Sequence, residues 1–269
     1  MKVFLASLLP GNFCGAIVRF LATAKRPRFL VRWLIKVFRA QYKIDESLAQ
    51  KPEGGFPTLL DFFLREPLPE ARPIDTQEKN FITPCEALLS KFGYLEENSF
   101  LVVKGESCRL DDLIEGDASF YNGGLYAILY LSPADFHRIY APCDAKLLSA
   151  KLVPGAKKPV FTAFVEKHPK VFITNQRVVM EFESAMGRFL LVAVGALNVG
   201  EIRTEFALPF EGGYLAKKSK EIAAFEFGST VVLAFEPKKI KKAEGVAEGA
   251  KILLGRPLAQ GTLDIEGTL

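Results

Sequence analysis

The chain has 269 residues, 49% of them hydrophobic, with a formal net charge of +4; that is ample for one large packed domain, or one domain plus a smaller one. Two histidines, His137 and His168, exclude a His-rich metal site. Four cysteines (Cys14, Cys85, Cys108, Cys143) show no CxxC or CxxH spacing and read as scattered free thiols of a reducing compartment.

The charge is unevenly placed. The first forty residues hold eight Lys and Arg and no Asp or Glu, while the rest carries 27 basic and 31 acidic residues. This segment predicts two helices, broken near Lys25-Arg26-Pro27-Arg28. In the second, Arg32, Lys36 and Arg39 recur at helical spacing and apolar residues fill the opposite face. Two readings fit. One is an interfacial helix lying on anionic lipid; the other is an amphipathic helix packed on the domain with its basic face in water. Charges interrupt every apolar run before the roughly 20 residues a bilayer span needs. Met1 to Ala22 resembles a signal peptide weakly, but Pro10-Gly11-Asn12 and Arg19 break it.

Further along, Lys51-Pro52-Glu53-Gly54-Gly55 reads as a loop, and Thr58 is placed to cap a short helix through Leu64 with Leu59, Phe62 and Phe63 inward. Pro67, Pro69 and Pro73 enforce extended chain. From Phe81 the pattern is mostly β, with strands expected at residues 100–103, 126–131, 146–152, 178–182, 189–194 and 230–235. Short helical turns are expected at Asp111-Asp112-Leu113 and at Ser132–His137, the latter with Ser132 as N-cap and Pro133 following. Lys238-Lys239-Ile240-Lys241-Lys242 reads as a solvated loop; without interleaved aromatics it gives no support to nucleic-acid binding. The fold class expected is α+β: N-terminal amphipathic helices (residues 1–40), then a β-rich, barrel- or sandwich-like domain (residues 41–269).

Gly228-Ser229-Thr230 carries the chemistry. A Gly before a hydroxyl nucleophile permits a strained backbone, and the serine hydroxyl can attack its own preceding carbonyl. The resulting ester, on β-elimination, cuts the chain and turns the serine remnant into an N-terminal pyruvoyl group. The tripeptide alone is common in turns.

Its surroundings give it weight. Tyr42-Lys43-Ile44-Asp45, the run Phe56–Arg65, Ala71-Arg72-Pro73-Ile74-Asp75, the run Tyr130–Arg138, Asn175-Gln176-Arg177-Val178 and the run Val194–Gly200 occur in an order and spacing similar to those of the phosphatidylserine decarboxylase family. The resemblance covers about residues 40 to 236. It implies a self-processing proenzyme cut at Gly228–Ser229 and a covalent pyruvoyl cofactor made from Ser229. It implies phosphatidylserine as substrate and phosphatidylethanolamine as product, at the cytoplasmic face of the cell membrane as a peripheral protein. The partners it implies are an anionic membrane surface and α- and β-chains from one proenzyme, with a homodimer of such heterodimers among the arrangements.

The family's relay set is an Asp in a P-x-D-G turn, the second His of an H-x-x-H pair, and the serine; the first His of the pair is the proton donor in decarboxylation. Ser229 matches, and His137 matches the first His. Glu86 stands at the Asp position and Tyr140 at that of the second His. Glu86 keeps the charge with a longer reach, or merely caps a turn. Tyr140 is a relay base only if a cation such as Arg138 lowers its pKa, since a phenol ordinarily titrates near about 10; otherwise it is a core aromatic. His168 is a surface residue or a remote replacement base. Asn198 is expected to fix a turn beside the site, with Gly195 and Gly200 allowing close approach. Ser219 and Ala223 replace two family glycines. Two alternatives follow from these departures: a non-processing phospholipid-binding paralogue, and a pyruvoyl decarboxylase for another amino acid headgroup.

Overall fold

The computed structural model describes residues 19–97, 99–103, 106–197 and 201–262. Its helices are α1 (Arg28–Tyr42), α2 (Leu59–Phe63), α3 (Leu110–Ile114), α4 (Thr162–Val165) and α5 (Val171–Thr174). Its strands are β1 (Asn80–Ile82), β2 (Ala87–Tyr94), β3 (Ser99–Val103), β4 (Glu106–Arg109), β5 (Leu125–Leu131), β6 (Arg138–Tyr140), β7 (Ala145–Val153), β8 (Arg177–Ser184), β9 (Gly187–Gly195), β10 (Ile202–Thr204), β11 (Phe210–Ala216), β12 (Glu221–Phe225), β13 (Ser229–Phe235), β14 (Ile240–Lys242), β15 (Lys251–Ile252) and β16 (Pro257–Gly261).

An eight-stranded sheet in the order β11-β7-β8-β9-β13-β5-β2-β15 forms the body of the protein, and every pairing in it is antiparallel. Successive side chains of a strand point to opposite faces, and β13 shows it cleanly. Val231, Leu233 and Phe235 enter one core; Val232 and Ala234 enter the other. The first core is closed by two three-stranded sheets, β10-β12-β6 and β1-β16-β14, through Ile139, Phe225, Phe81 and Leu258. The second is closed by helices and a hairpin, through Leu113 of α3, Phe172 of α5 and Cys108 of β4. The architecture is thus a sheet sandwich on one side with a helical layer on the other, in line with the α+β, β-rich expectation.

Buried polar anchors hold the helical layer. The guanidinium of Arg177, 1% exposed, donates to the carbonyls of Leu113 (2.5 Å), Ile173 (2.8 Å), Asn175 (3.0 Å) and Asp112 (2.9 Å), tying α3 and α5 to β8. Asn175, fully buried, donates to the carbonyls of Lys158 and Gly195, both at 2.8 Å. The sequence segment around Asn175-Gln176-Arg177 is therefore a structural staple beside the end of β9.

The N-terminal break appears as expected: residues 19–23 are helical, and α1 begins after Pro27. Residues 1–18, where the signal-peptide resemblance falls, and residues 198–200, with Asn198 and Gly200, lie outside the described residues. Thr58 caps α2, its hydroxyl accepting from the Asp61 amide at 2.9 Å, but Leu60 rather than Leu59 is the fully buried leucine. Two expectations are corrected. Ser132–His137 is a turn, not a helix: the Asp135 amide donates to the Ser132 carbonyl (2.9 Å), and the Asp135 carboxylate accepts from the Ser132 amide (2.8 Å), closing the loop in both directions. The basic run near residue 240 is not a free loop, because Ile240 is 3% exposed and draws β14 into a sheet with β16. Ser219 sits at φ 66°, a left-handed conformation that glycine takes without strain. That explains the family's glycine there; Ala223, in β12, faces the first core.

Burial on both faces makes β13 sensitive to lost volume. Leu233→Ala is expected to cost about 2–5 kcal/mol. Leu215→Ala, on the edge strand β11 and 69% exposed, should stay within about 0.5 kcal/mol. Urea unfolding of the two variants against the parent checks the contrast.

Candidate active site

Ser229 is the first residue of β13 and pairs on both sides, with Leu131 of β5 and Gly195 of β9. It is fully buried, and its Oγ has no hydrogen-bond partner among the described residues. A buried hydroxyl left unsatisfied costs about 1–3 kcal/mol, so something other than stability keeps it there. Alternation puts Ser229 on the face of Val231. Thr230 points the other way, its Oγ1 also unpartnered, into a cavity of about 90 Å³ lined by Tyr130, Phe172 and Val165.

The chain enters this serine under strain, though not where the sequence suggested. Gly228 does not have a positive φ, and a Cβ built on it meets only ordinary contacts, Ala196 Cβ and the Leu197 carbonyl at 3.7 Å. The strained residue is Phe227, at φ 96°, where a side chain is disfavoured. The chain is held on either side of it. Glu226 is pinned by Arg203, whose Nε donates to its carboxylate at 2.7 Å, and by its own amide donating to the Glu201 carbonyl at 3.0 Å. Ser229 is pinned by the sheet. The backbone must turn sharply between them.

His137 lies opposite. The Phe225 amide donates to its carbonyl at 3.0 Å, just as Leu131 pairs with Ser229. Segments 131–137 and 225–229 are thus tied at both ends. The imidazole is fully buried; Nδ1 is 3.0 Å from the Asp135 carbonyl and Nε2 has no partner among the described residues. A carbonyl can only accept, so Nδ1 carries the hydrogen and Nε2 a free lone pair. The ring packs on Phe63 at 4.0 Å between centroids, and Phe63 packs on Phe227 at 4.7 Å. Burial first, with the Arg65 and Lys251 charges adding, pushes the His137 pKa down to about 3 and keeps the ring neutral.

Three charged residues that sequence reasoning passed over surround His137. Arg65, 3% exposed, donates to the Ala134 carbonyl at 2.5 Å and lies over the rings of Phe62 and Phe136. Asp135 is bonded by Lys251, which also reaches Glu86 at 3.5 Å. Glu86, 7% exposed, takes a 2.5 Å bond from Arg72 Nε. Arg65 could have been suspected from the Phe56–Arg65 segment; Lys251 has no local signal at all.

Tyr140 lies elsewhere. Its amide donates to the Pro84 carbonyl at 2.8 Å, tying β6 to the turn that holds Glu86. In the ladder it faces Glu221, whose carboxylate takes a 2.5 Å bond from Arg138. The condition set for a base role, a pKa lowered by Arg138, is not met: burial first, then Glu221, raise it further than Arg138 lowers it. His168 is exposed and packs on Phe164 at 4.6 Å, in the helical layer over the second core.

A family model described as phosphatidylserine decarboxylase matches residues 59–260, further toward the C-terminus than the motifs alone reached. The chain is 34% identical to a protein of Aliivibrio salmonicida (strain LFI1238) named phosphatidylserine decarboxylase proenzyme, over 96% of this chain and 97% of that one. Proteins of the same name from Escherichia coli O9:H4 (strain HS) and Erwinia tasmaniensis are 31% and 32% identical, covering 97% and 96% of this chain and 88% and 94% of their own. Matched by that family model over residues 59–260 and by these relatives over nearly its whole length, the chain belongs to the phosphatidylserine decarboxylase family.

Proposed function

We propose that the protein cuts itself between Gly228 and Ser229 and then converts phosphatidylserine to phosphatidylethanolamine. The observation that carries this is the Ser229 hydroxyl: buried, unpartnered and preceded by a strained Phe227. Attack of Oγ on the Gly228 carbonyl exchanges an amide for an ester and releases the local twist. Loss of the Ser229 α-proton then breaks the Cβ–Oγ bond, leaving Gly228 with a carboxylate and residue 229 as an enamine, whose imine form takes up one water and releases ammonia to give the pyruvoyl carbonyl.

The residues present fit a pyruvoyl group at position 229, since the strand holds that residue rigidly and the first core shields it from water. Such a group supplies an electrophilic carbonyl that draws electron density from the substrate's α-carbon as CO2 leaves. Phe63, packed between His137 and Phe227, gives the imidazole an apolar wall, and such a wall weakens solvation of a substrate carboxylate and favours its loss. Nε2 of His137 is the group free to take a proton from the substrate amine and return it to the carbon that CO2 leaves. Its low pKa makes the protonated ring a strong donor. Glu86, held by Arg72 and Lys251, fixes the 83–87 turn next to β6.

The same proposal places residues 1–40 on an anionic membrane surface. Among the described residues, no helix is long and apolar enough to cross a bilayer. Helix α1 buries only Val31 fully, leaving Phe29, Trp33 and Val37 at 75%, 57% and 47% exposure, one turn apart in a row. Phe20 is 73% exposed as well. Arg32, Lys36 and Arg39 run beside that row and line a cleft of about 240 Å³ against Gly54 and Gly55. An exposed aromatic row flanked by cations suits the boundary between acyl chains and anionic headgroups.

Denaturing mass analysis of purified protein should show fragments 1–228 and 229–269, the second blocked at its N-terminus and reactive with a carbonyl reagent. Ser229→Ala should give one intact chain. A wild-type chain that stays whole on long incubation favours the lipid-binding paralogue instead.

Flotation with vesicles containing anionic lipid should decline as salt rises. It should also fall sharply in a Phe29→Ser/Trp33→Ser double variant, whose exposed positions leave the fold alone. Equal flotation of the variant and the parent would return α1 to the role of a simple core helix.

A further inference from the structure

The first proton of the proposed maturation has to leave the Ser229 hydroxyl inside a compartment closed to water, and the family's usual acceptor, the second His, is absent from this chain. We propose that Nε2 of His137 takes this proton, so that one imidazole serves both the cutting of the chain and the later turnover. This assignment rests on the self-cleavage reading above.

Geometry carries it. Ser229 and His137 lie in two segments joined by the Leu131–Ser229 pairing at one end and the Phe225–His137 hydrogen bond at the other. Among the described residues both reacting atoms are buried and partnerless, whereas the nearby carboxylates are already engaged. Glu86 is bonded to Arg72 and Lys251, and Asp135 to Lys251 and the Ser132 amide. Burial holds Cys85 in its thiol form. Tyr140 faces Glu221, Arg138 and Glu66 rather than the Arg65–Lys251 surroundings of His137, and its hydroxyl resists ionisation. His168 stands in the layer on the opposite face of the sheet.

The Nδ1–H bond to the Asp135 carbonyl fixes the ring in the tautomer a base requires. As Oγ bonds to the Gly228 carbonyl carbon, its proton passes to Nε2. As the Gly228–Ser229 C–N bond breaks, the proton passes from Nε2 to the departing nitrogen, which becomes the Ser229 amine. The ring ends neutral, as it began, and no outside reagent is consumed. The nearby Arg65 and Lys251 charges disfavour a lasting imidazolium, so the proton is handed on rather than stored.

The test is a time course of chain cutting, by denaturing mass analysis, on full-length wild type, His137→Gln and Tyr140→Phe, each checked for folding by thermal unfolding. His137→Gln should cut slower by about 10²–10⁴-fold, the usual worth of a lost general base. Tyr140→Phe should cut at the wild-type rate, and Tyr140→His should bring no acceleration. A wild type that cuts while His137→Gln cuts equally fast overturns the assignment alone. So does a folded Tyr140→Phe that fails to cut, which returns the role to the tyrosine. A wild type that never cuts overturns the self-cleavage reading and this assignment together.

Discussion

Strand β13 can sit in the middle of the eight-stranded sheet only if all its residues accept burial on both faces, and Val231 to Phe235 do. The same burial reaches Ser229 and Thr230, whose hydroxyls would ordinarily seek water or a carbonyl. Both neighbouring strands already use the backbone groups there, so the hydroxyls go without. The requirement that makes the sheet cohesive is thus the one that leaves a serine hydroxyl unsolvated beside a bent peptide.

Around that point the protein separates charge from neutrality. Arg72, Lys251, Glu86 and Asp135 are joined in a chain of ion pairs, and each charge there has a counter-charge. His137, next to them, is reached only through the Asp135 carbonyl and remains neutral. The arrangement keeps the imidazole oriented without tying up its second nitrogen. A carboxylate bonded directly to Nδ1 would hold the ring too, but would stabilise the imidazolium and blunt its readiness to release a proton.

Sequence reasoning reached the parts of this picture written in local pattern. Strands β5, β7, β8, β9 and β13 are long and rich in Val, Leu and Phe, so their apolar runs stand out. β12, Glu221-Ile222-Ala223-Ala224-Phe225, is too short and small-sided to do so, and Gly212-Gly213 inside β11 looks like a turn. Ser229 and His137 could be singled out as candidates because the motif around each is contiguous. The pairing of Lys251 with Asp135 spans 116 residues, and no local pattern announces a contact at that distance. The strain, too, was assigned to the glycine, the residue most tolerant of it. In the fold it falls on Phe227, whose ring is held against Phe63 while Glu226 before it and Ser229 beyond Gly228 are both held in place.

Lys251, β14, β15 and β16 all follow Ser229, yet they belong to two different sheets and to the ion-pair chain at the site. A break at the first peptide bond of β13 would therefore yield two polypeptides woven through each other, with no surface along which they could part. Such a molecule could form only from a single chain folded before it was cut. Once denatured, it would face a meeting of two strangers instead of the folding of one chain, and its lifetime would be set by how slowly it first comes apart.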